Sequence, residues 1–229
     1  MAILVNVKPW ETLAHATTPD GGAMRLSRRD DEYVIWVDGR SLMSSRAHGS
    51  EESLAAAGCG HLRGVAAPHV LVGGLGMGYT LRAALDVLPV RARVIVAELI
   101  PEVVEWNRGP LGELAGHPLR DPRVRVVVED VGFTLRAHPG RFDAIVLDVD
   151  NGPAAFTSRL NSSLYGAAGL AAAHAALALG GVLTVWSAWE DDGFTQRLQK
   201  QGFAAHSSRV RARREKRGAH HTIFVGVKQ

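Results

Sequence analysis

Cysteine is almost missing: Cys59 stands alone in 229 residues, which excludes an intrachain disulfide and a closed, cysteine-built zinc site. Long apolar runs are missing as well. Every apolar stretch is broken by charge, glycine or proline, and Met1 to Trp10 lacks a basic region followed by a long apolar one. Neither membrane insertion nor secretion is indicated, and a cytoplasmic protein is expected. Aromatic residues amount to 6%, and none is interleaved with the single dense run of positive charge, Arg209, Arg211, Arg213, Arg214, Lys216 and Arg217. Base stacking would want aromatics there. The run therefore reads as a solvated turn in preference to a nucleic-acid contact, although the net charge is +3 and the pI near 9.3. His220 and His221 lack a companion acid or cysteine at ligand spacing, so no metal site is expected.

What is present is enough apolar material, 46% of the chain, to bury a core. Residues 1–50 carry short apolar runs between charges and turns. Met24 to Leu26, Tyr33 to Val37 and Ser41 to Met43 read as strands, with Asp38-Gly39 a strong hairpin signal. Over 51–68 a short helix led in by Ser50-Glu51-Glu52 runs to Ala57, followed by a linker from Gly58 to Pro68. From His69 onward strands and helices alternate, as a parallel sheet covered on both faces requires. The strands are His69 to Val72, Arg93 to Ala97, Val124 to Val128, Phe142 to Leu147 and Val182 to Trp186. The helices are Tyr79 to Leu88, Pro101 to Leu114, Val131 to Ala137, Leu164 to Leu179 and Phe194 to Gln201. The last two strands, Ala204 to Val210 and Thr222 to Val227, are joined only by the basic turn, so one of them runs antiparallel to the sheet. The reading is an α/β chain with a Rossmann-like domain over 69–229, a mostly parallel sheet ending in an antiparallel hairpin as in class I methyltransferase folds.

The first strand of that domain runs into Gly73-Gly74-Leu75-Gly76-Met77-Gly78 and then a helix. Glycines let the chain turn sharply and let a ligand approach the backbone. Tyr79 stands where a dinucleotide fingerprint would place its last glycine. The second strand ends at Glu98, twenty positions after Gly78, where a carboxylate can accept from both ribose hydroxyls of a nucleoside; Leu99 follows it into the site. The third ends at Glu129-Asp130, with Asp130 the candidate for an adenine amine and also a natural helix cap. The fourth ends at Asp148-Val149-Asp150-Asn151-Gly152-Pro153. Asp148 and Asp150 are the candidate catalytic carboxylates, able to orient or deprotonate an amine attacking carbon next to a sulfonium. Tyr165, Trp186 and Trp189 are candidates for the pocket wall or for plain core.

These residues in this order resemble the spermidine synthase-like family within the class I S-adenosylmethionine-dependent methyltransferase fold. The likeness runs through Val37-Asp38-Gly39, Ser50-Glu51-Glu52, Gly73 to Gly78, Glu98, Pro101 to Val104, Asp121 to Val124, Asp130 and Asp143 to Asp148. It implies a homodimer, a transferase, and a nucleoside sulfonium donor held by Gly73, Gly74, Gly76, Gly78, Glu98, Leu99, Glu129, Asp130 and Asp148. Three departures stand out. Family members that transfer aminopropyl groups carry an aspartate where Gly76 lies, their Tyr-His-Glu segment appears as Gly49-Ser50-Glu51, and the second aspartate of their catalytic loop is lost or displaced to Asp150. Without the loop aspartate, discrimination against a methionine carboxylate weakens. The residues favour methyl transfer from S-adenosylmethionine to a small acceptor. Aminopropyl transfer from the decarboxylated donor to a polyamine stays open, with Asp150, Glu51 and Glu52 as the amine site. So does a module that binds a nucleoside, or docks nucleic acid through Arg209 to Arg217, without turnover.

Overall fold

The computed structural model describes residues 8–149, 163–212 and 219–229. Four strands open the chain, β1 (Glu11–Thr17), β2 (Ala23–Arg29), β3 (Glu32–Val37) and β4 (Arg40–Ser44), paired antiparallel in chain order. In β2, Met24 and Leu26 point inward and Ala23 and Arg25 outward, the period-two pattern of a half-buried strand. Asp38 and Gly39, at φ 48 and 77, make the left-handed two-residue turn that matches strand twist between β3 and β4. Strand β1 was not legible as a strand: its register slips between Thr12 and Ala14, which breaks the alternation that reveals one.

The second sheet has seven strands: β5 (His69–Gly73), β6 (Arg93–Glu98), β7 (Val124–Val128), β8 (Phe142–Leu147), β9 (Leu177–Ser187), β10 (Phe203–Arg211) and β11 (His220–Lys228). Their spatial order is β7-β6-β5-β8-β9-β11-β10. Strands β5 to β9 run parallel, and β11 is the reversed member, antiparallel to both β9 and β10. After β5 the chain builds outward through β6 and β7, then returns to place β8 on the other side of β5. Open α/β sheets bind ligands at that switch point, beyond the carboxyl ends of the strands.

Among the described residues six helices accompany the strands: α1 (Gly49–Cys59), α2 (Tyr79–Val87), α3 (Pro101–Arg108), α4 (Val131–Ala137), α5 (Ala167–Ala176) and α6 (Asp192–Lys200). They split between the two faces of the large sheet. Val70 and Val72 of β5 pack with Leu54, Leu81 and Val103 of the first three helices and with Met24 and Leu26 of the small sheet. Leu71, one residue out of phase, packs on the other face with Leu135, Leu170 and Leu198. The continuous apolar strands are explained by this two-sided burial.

Two predicted helices are shorter than expected. The one predicted to reach Leu114 stops at Arg108, because Gly109 and Pro110 cannot carry it on; a 3-10 turn resumes at Gly112–Ala115. The one predicted to reach Leu179 stops at Ala176, and β9 starts at once, with Leu177 paired to Phe142. Gly180, at φ 76, lies inside that strand next to a register shift instead of ending a helix. Strand pairing overrides the helix propensity of the alanine-rich segment there. Among the described residues no helix is long and apolar enough to cross a membrane.

Candidate functional site

A cavity of about 490 Å³ opens at the carboxyl ends of β5, β6, β7 and β8. Gly74, Gly76, Glu98, Leu99, Glu129, Asp130 and Asp148 line it together, so seven of the residues singled out in the sequence converge on one space. Gly73 and Gly78 are not among the lining residues. Gly73 ends β5 with Leu147 and Val131 against its α-carbon, and Gly78 precedes α2 in the left-handed region. Asp150 and Asn151 lie outside the described residues, as do Arg213 to Arg217. Tyr165 is core, packed edge-on to Phe194; Trp186 and Trp189 are not in the cavity wall, and Trp189 is exposed.

The geometry of the glycine turn is dictated at two positions. Gly74 has φ 88, and a β-carbon there would sit 2.2 Å from the Asp148 carbonyl oxygen, so the loop and the end of β8 touch backbone to backbone. Gly76 has φ 51, and its β-carbon would meet Met43 Cε at 2.7 Å. The thioether of β4 thus occupies the volume that a larger residue in the loop would need.

Glu98 is 8% exposed, and its two oxygens accept separate backbone N–H groups, Oε2 from Leu75 and Oε1 from Ile100, each at 2.9 Å. One carboxylate thereby ties the glycine turn to the start of α3 and keeps lone pairs for a ligand's hydroxyls. Asp130 caps α4, Oδ1 accepting from Gly132 N at 2.8 Å, as foreseen, and it also faces the cavity. Glu129 accepts from Thr134 Oγ1 at 2.6 Å.

Nearly half of the described lining residues come from the small sheet and its turns, which sequence reasoning had given no part in the site. The turn from Thr18 to Gly22, Asp38, Leu42 and Met43 close the cavity opposite the strand ends. Hydrogen bonds hold this wall: Gly22 N donates to Thr18 Oγ1 at 2.8 Å and Ala23 N to Asp38 Oδ1 at 2.9 Å. The turn signals Asp20-Gly21-Gly22 and Asp38-Gly39 were visible in the sequence, but nothing local said which way the hairpins would fold.

Beside the large cavity, and sharing Asp148 and Met43 with it, is a gap of about 10 Å³ lined also by Glu51, Tyr79 and Thr80. Thr80 Oγ1 donates to Asp148 Oδ2 at 2.5 Å and Ser50 Oγ to Glu51 Oε2 at 2.6 Å. Burial pushes both carboxyls well above the ordinary carboxylate range; the nearby Asp148 adds to the shift of Glu51, and the Thr80 hydrogen bond works against that of Asp148. The Tyr79 hydroxyl, pushed up to about 12 by burial and by the charge of Glu51, donates to Ser45 O at 3.2 Å, and its ring stacks on His48. Two buried acids facing a space the size of one water would both gain from a positive charge placed there. Among the described residues no three metal-ligating side chains cluster.

No family model matches the chain. Polyamine aminopropyltransferases of Mycobacterium tuberculosis and Mycobacterium bovis are 31% identical to it over 164 residues, which cover 70% of this chain and 30% of those proteins. The spermidine synthase of Thermotoga maritima superposes with a TM-score of 0.75 at 20% identity, over 95% of this chain and 73% of the other. A probable spermidine synthase from Corynebacterium glutamicum superposes at 0.65 with 18% identity, over 96% and 80%. Over the matched residues the chain is similar in sequence to the polyamine aminopropyltransferases, and over nearly its whole length it shares the fold of the spermidine synthases.

Proposed function

We propose that this chain transfers an aminopropyl group from decarboxylated S-adenosylmethionine to an amine. The match reaches less than a third of the length of its curated relatives, so the activity is inferred from the site. The observation that carries the reading is the Glu51–Asp148 pair in a gap contiguous with the large cavity. Two carboxylates raised by burial gain most from an ammonium group, and the gap is sized for one. The reading reverses the preference for methyl transfer drawn from the missing loop aspartate, because Glu51 of α1 and Asp148 of β8 offer an acidic site to an amine acceptor.

The large cavity fits a nucleoside, being of small-molecule size and carrying carboxylates at three strand ends. Glu98 would hold the ribose, Asp130 the exocyclic amine of the base, and the turn at Gly74 and Gly76 the chain carrying the sulfonium, which supplies an electrophilic carbon and a neutral leaving group. Asp148, in the wall of both cavities, would align the acceptor nitrogen and take its proton. The test is turnover of the purified chain with the decarboxylated donor and putrescine. An aminopropylated product is expected, and no product with a donor that binds would overturn the reading.

One observation favours a second reading. Met43 fills the space beside Gly76 with an apolar group, so nothing in the described loop repels a donor that keeps its carboxylate. Methyl transfer from intact S-adenosylmethionine to the same amine would then follow, and the mass of the product separates the two.

A further inference from the structure

Ser50 lies in the first turn of α1, 1% exposed, and touches two titratable groups from distant parts of the chain. One is Glu51, at 2.6 Å from Oγ to Oε2; the other is His221 on β11, whose Nδ1 is 2.9 Å from the same oxygen. A hydroxyl has one hydrogen to give, and an ionised carboxylate only accepts. With Glu51 ionised, therefore, Ser50 donates to Glu51 and His221 donates Nδ1–H to Ser50. With Glu51 protonated the order inverts: Glu51 donates to Ser50, Ser50 donates to His221 Nδ1, and the imidazole carries its hydrogen on Nε2. His221 is partly exposed, and its ring is set edge-on against Trp186 with centroids 4.6 Å apart.

We propose that Ser50 and His221 are the proton exit of the acid gap, positioning residues that act on the acceptor through Glu51. This rests on the amine-acceptor reading. When an ammonium enters, the proton shared by Glu51 and Asp148 must leave; the hydrogen that the acceptor nitrogen later gives up to free its lone pair goes to Asp148 and restores it. On entry the Glu51 O–H bond breaks as a bond to Ser50 Oγ forms, the original Ser50 hydrogen moves to His221 Nδ1, and the resulting imidazolium releases its Nε2 hydrogen to water. One proton reaches solvent and no electron changes hands. Burial holds His221 below the usual histidine range, with His220 adding to the effect, so the ring rests neutral and can accept. The other ionisable groups facing the path are Asp148 at the end of β8, Tyr79 on α2 and Glu52 on α1, the last paired with His48 at 3.1 Å.

The experiment follows His221 by nitrogen NMR and turnover together, using putrescine as the probe. Added near neutral pH, putrescine should release protons to the buffer and move His221 from the Nε2–H to the Nδ1–H form. In Ser50→Ala the ring should stop responding. Ser50→Ala and His221→Asn should each lower kcat about tenfold or more, short of the ~10²–10⁴ expected for a direct base, with putrescine affinity retained. Asparagine keeps a hydrogen bond and cannot carry a proton, so a purely structural histidine would leave kcat and its pH profile intact in His221→Asn. Free imidazole should restore turnover to His221→Ala. Wild-type kcat in these variants, or a His221 tautomer that ignores bound putrescine, would overturn the relay. If putrescine fails to bind, the amine reading falls, and the relay is then judged by whether Glu51→Gln alters the His221 titration: a change supports it, and an unchanged curve removes it.

Discussion

The two cavities that meet at Asp148 are built on opposite principles. In the large one the carboxylates are already satisfied: Glu98 accepts two backbone N–H groups and Asp130 caps a helix, so their charges help hold the fold with or without a ligand. In the small one Glu51 and Asp148 line one gap, accept from the hydroxyls of Ser50 and Thr80, and have their charge penalised by burial. On the proposed function, with the donor in the large cavity and the acceptor in the small one, the first would bind by fit and the second by relief of buried charge. The difference also says where function conflicts with stability.

The comparison breaks most sharply at the shared residue. Asp148→Asn should lower kcat by ~10²–10⁴, the range for a positioned acid or base, while calorimetry shows donor affinity little changed. Full turnover in that variant would leave the acid gap without a role. Next in size is Glu98→Ala, expected to weaken donor binding by about 1.5–3 kcal/mol, the worth of charge-assisted hydrogen bonds. Because Leu75 N and Ile100 N would also lose their acceptor, Glu98→Gln is the sharper probe, keeping one carbonyl oxygen for the turn. Unaltered donor affinity in both variants would detach Glu98 from the site.

Smaller again is an effect on stability alone. The folded-state pKa of Glu51 lies above its unfolded value, so the folded chain binds more protons and loses stability as pH rises through that interval. Glu51→Gln removes the term. Its melting temperature at neutral pH should exceed wild type by roughly 2–4 °C, corresponding to about 1 kcal/mol for a chain of this size, with the gain vanishing in acid, where Glu51 is protonated in both states. Putrescine should produce a similar rise in the wild type and none in the variant. A variant that melts lower than wild type at every pH would show that Glu51 supports the fold.

The meeting of Gly74, Glu98, Asp130 and Asp148 at the large cavity was legible in the sequence because these residues are fixed by strand ends. Once His69 to Val72 and Arg93 to Ala97 are read as parallel neighbours, Gly74 and Glu98 must lie beside each other, and Asp130 and Asp148 follow from the next two strands. The acceptor side obeys no such period. Glu51 sits on a helix outside the alternating pattern, and Met43 comes from a strand whose partner sheet packs on the cavity by tertiary contact alone. Ser50 and His221 are 171 residues apart, and only the position of β11 between β9 and β10 brings them together. The same tertiary pairing hid the end of α5, where helix-forming residues give way to a strand for the sake of Phe142.

The least of the expected effects bears on the donor's identity. Gly76 has φ 51 and lies against Met43, so Gly76→Ala meets two costs, a left-handed backbone and a contact at 2.7 Å. Met43→Ala relieves the second and leaves the first. A double-mutant cycle on donor affinity should therefore return a coupling of about 0.5–1 kcal/mol, typical of neighbours in contact. Run with both donors, the cycle also tells which reaction the wall of β4 serves. If Met43→Ala weakens the decarboxylated donor more than the intact one, the thioether packs on the tail that lacks a carboxylate and the aminopropyl reading gains. Equal losses would mean that Met43 only supports the loop, leaving donor choice to the charge of the acid gap.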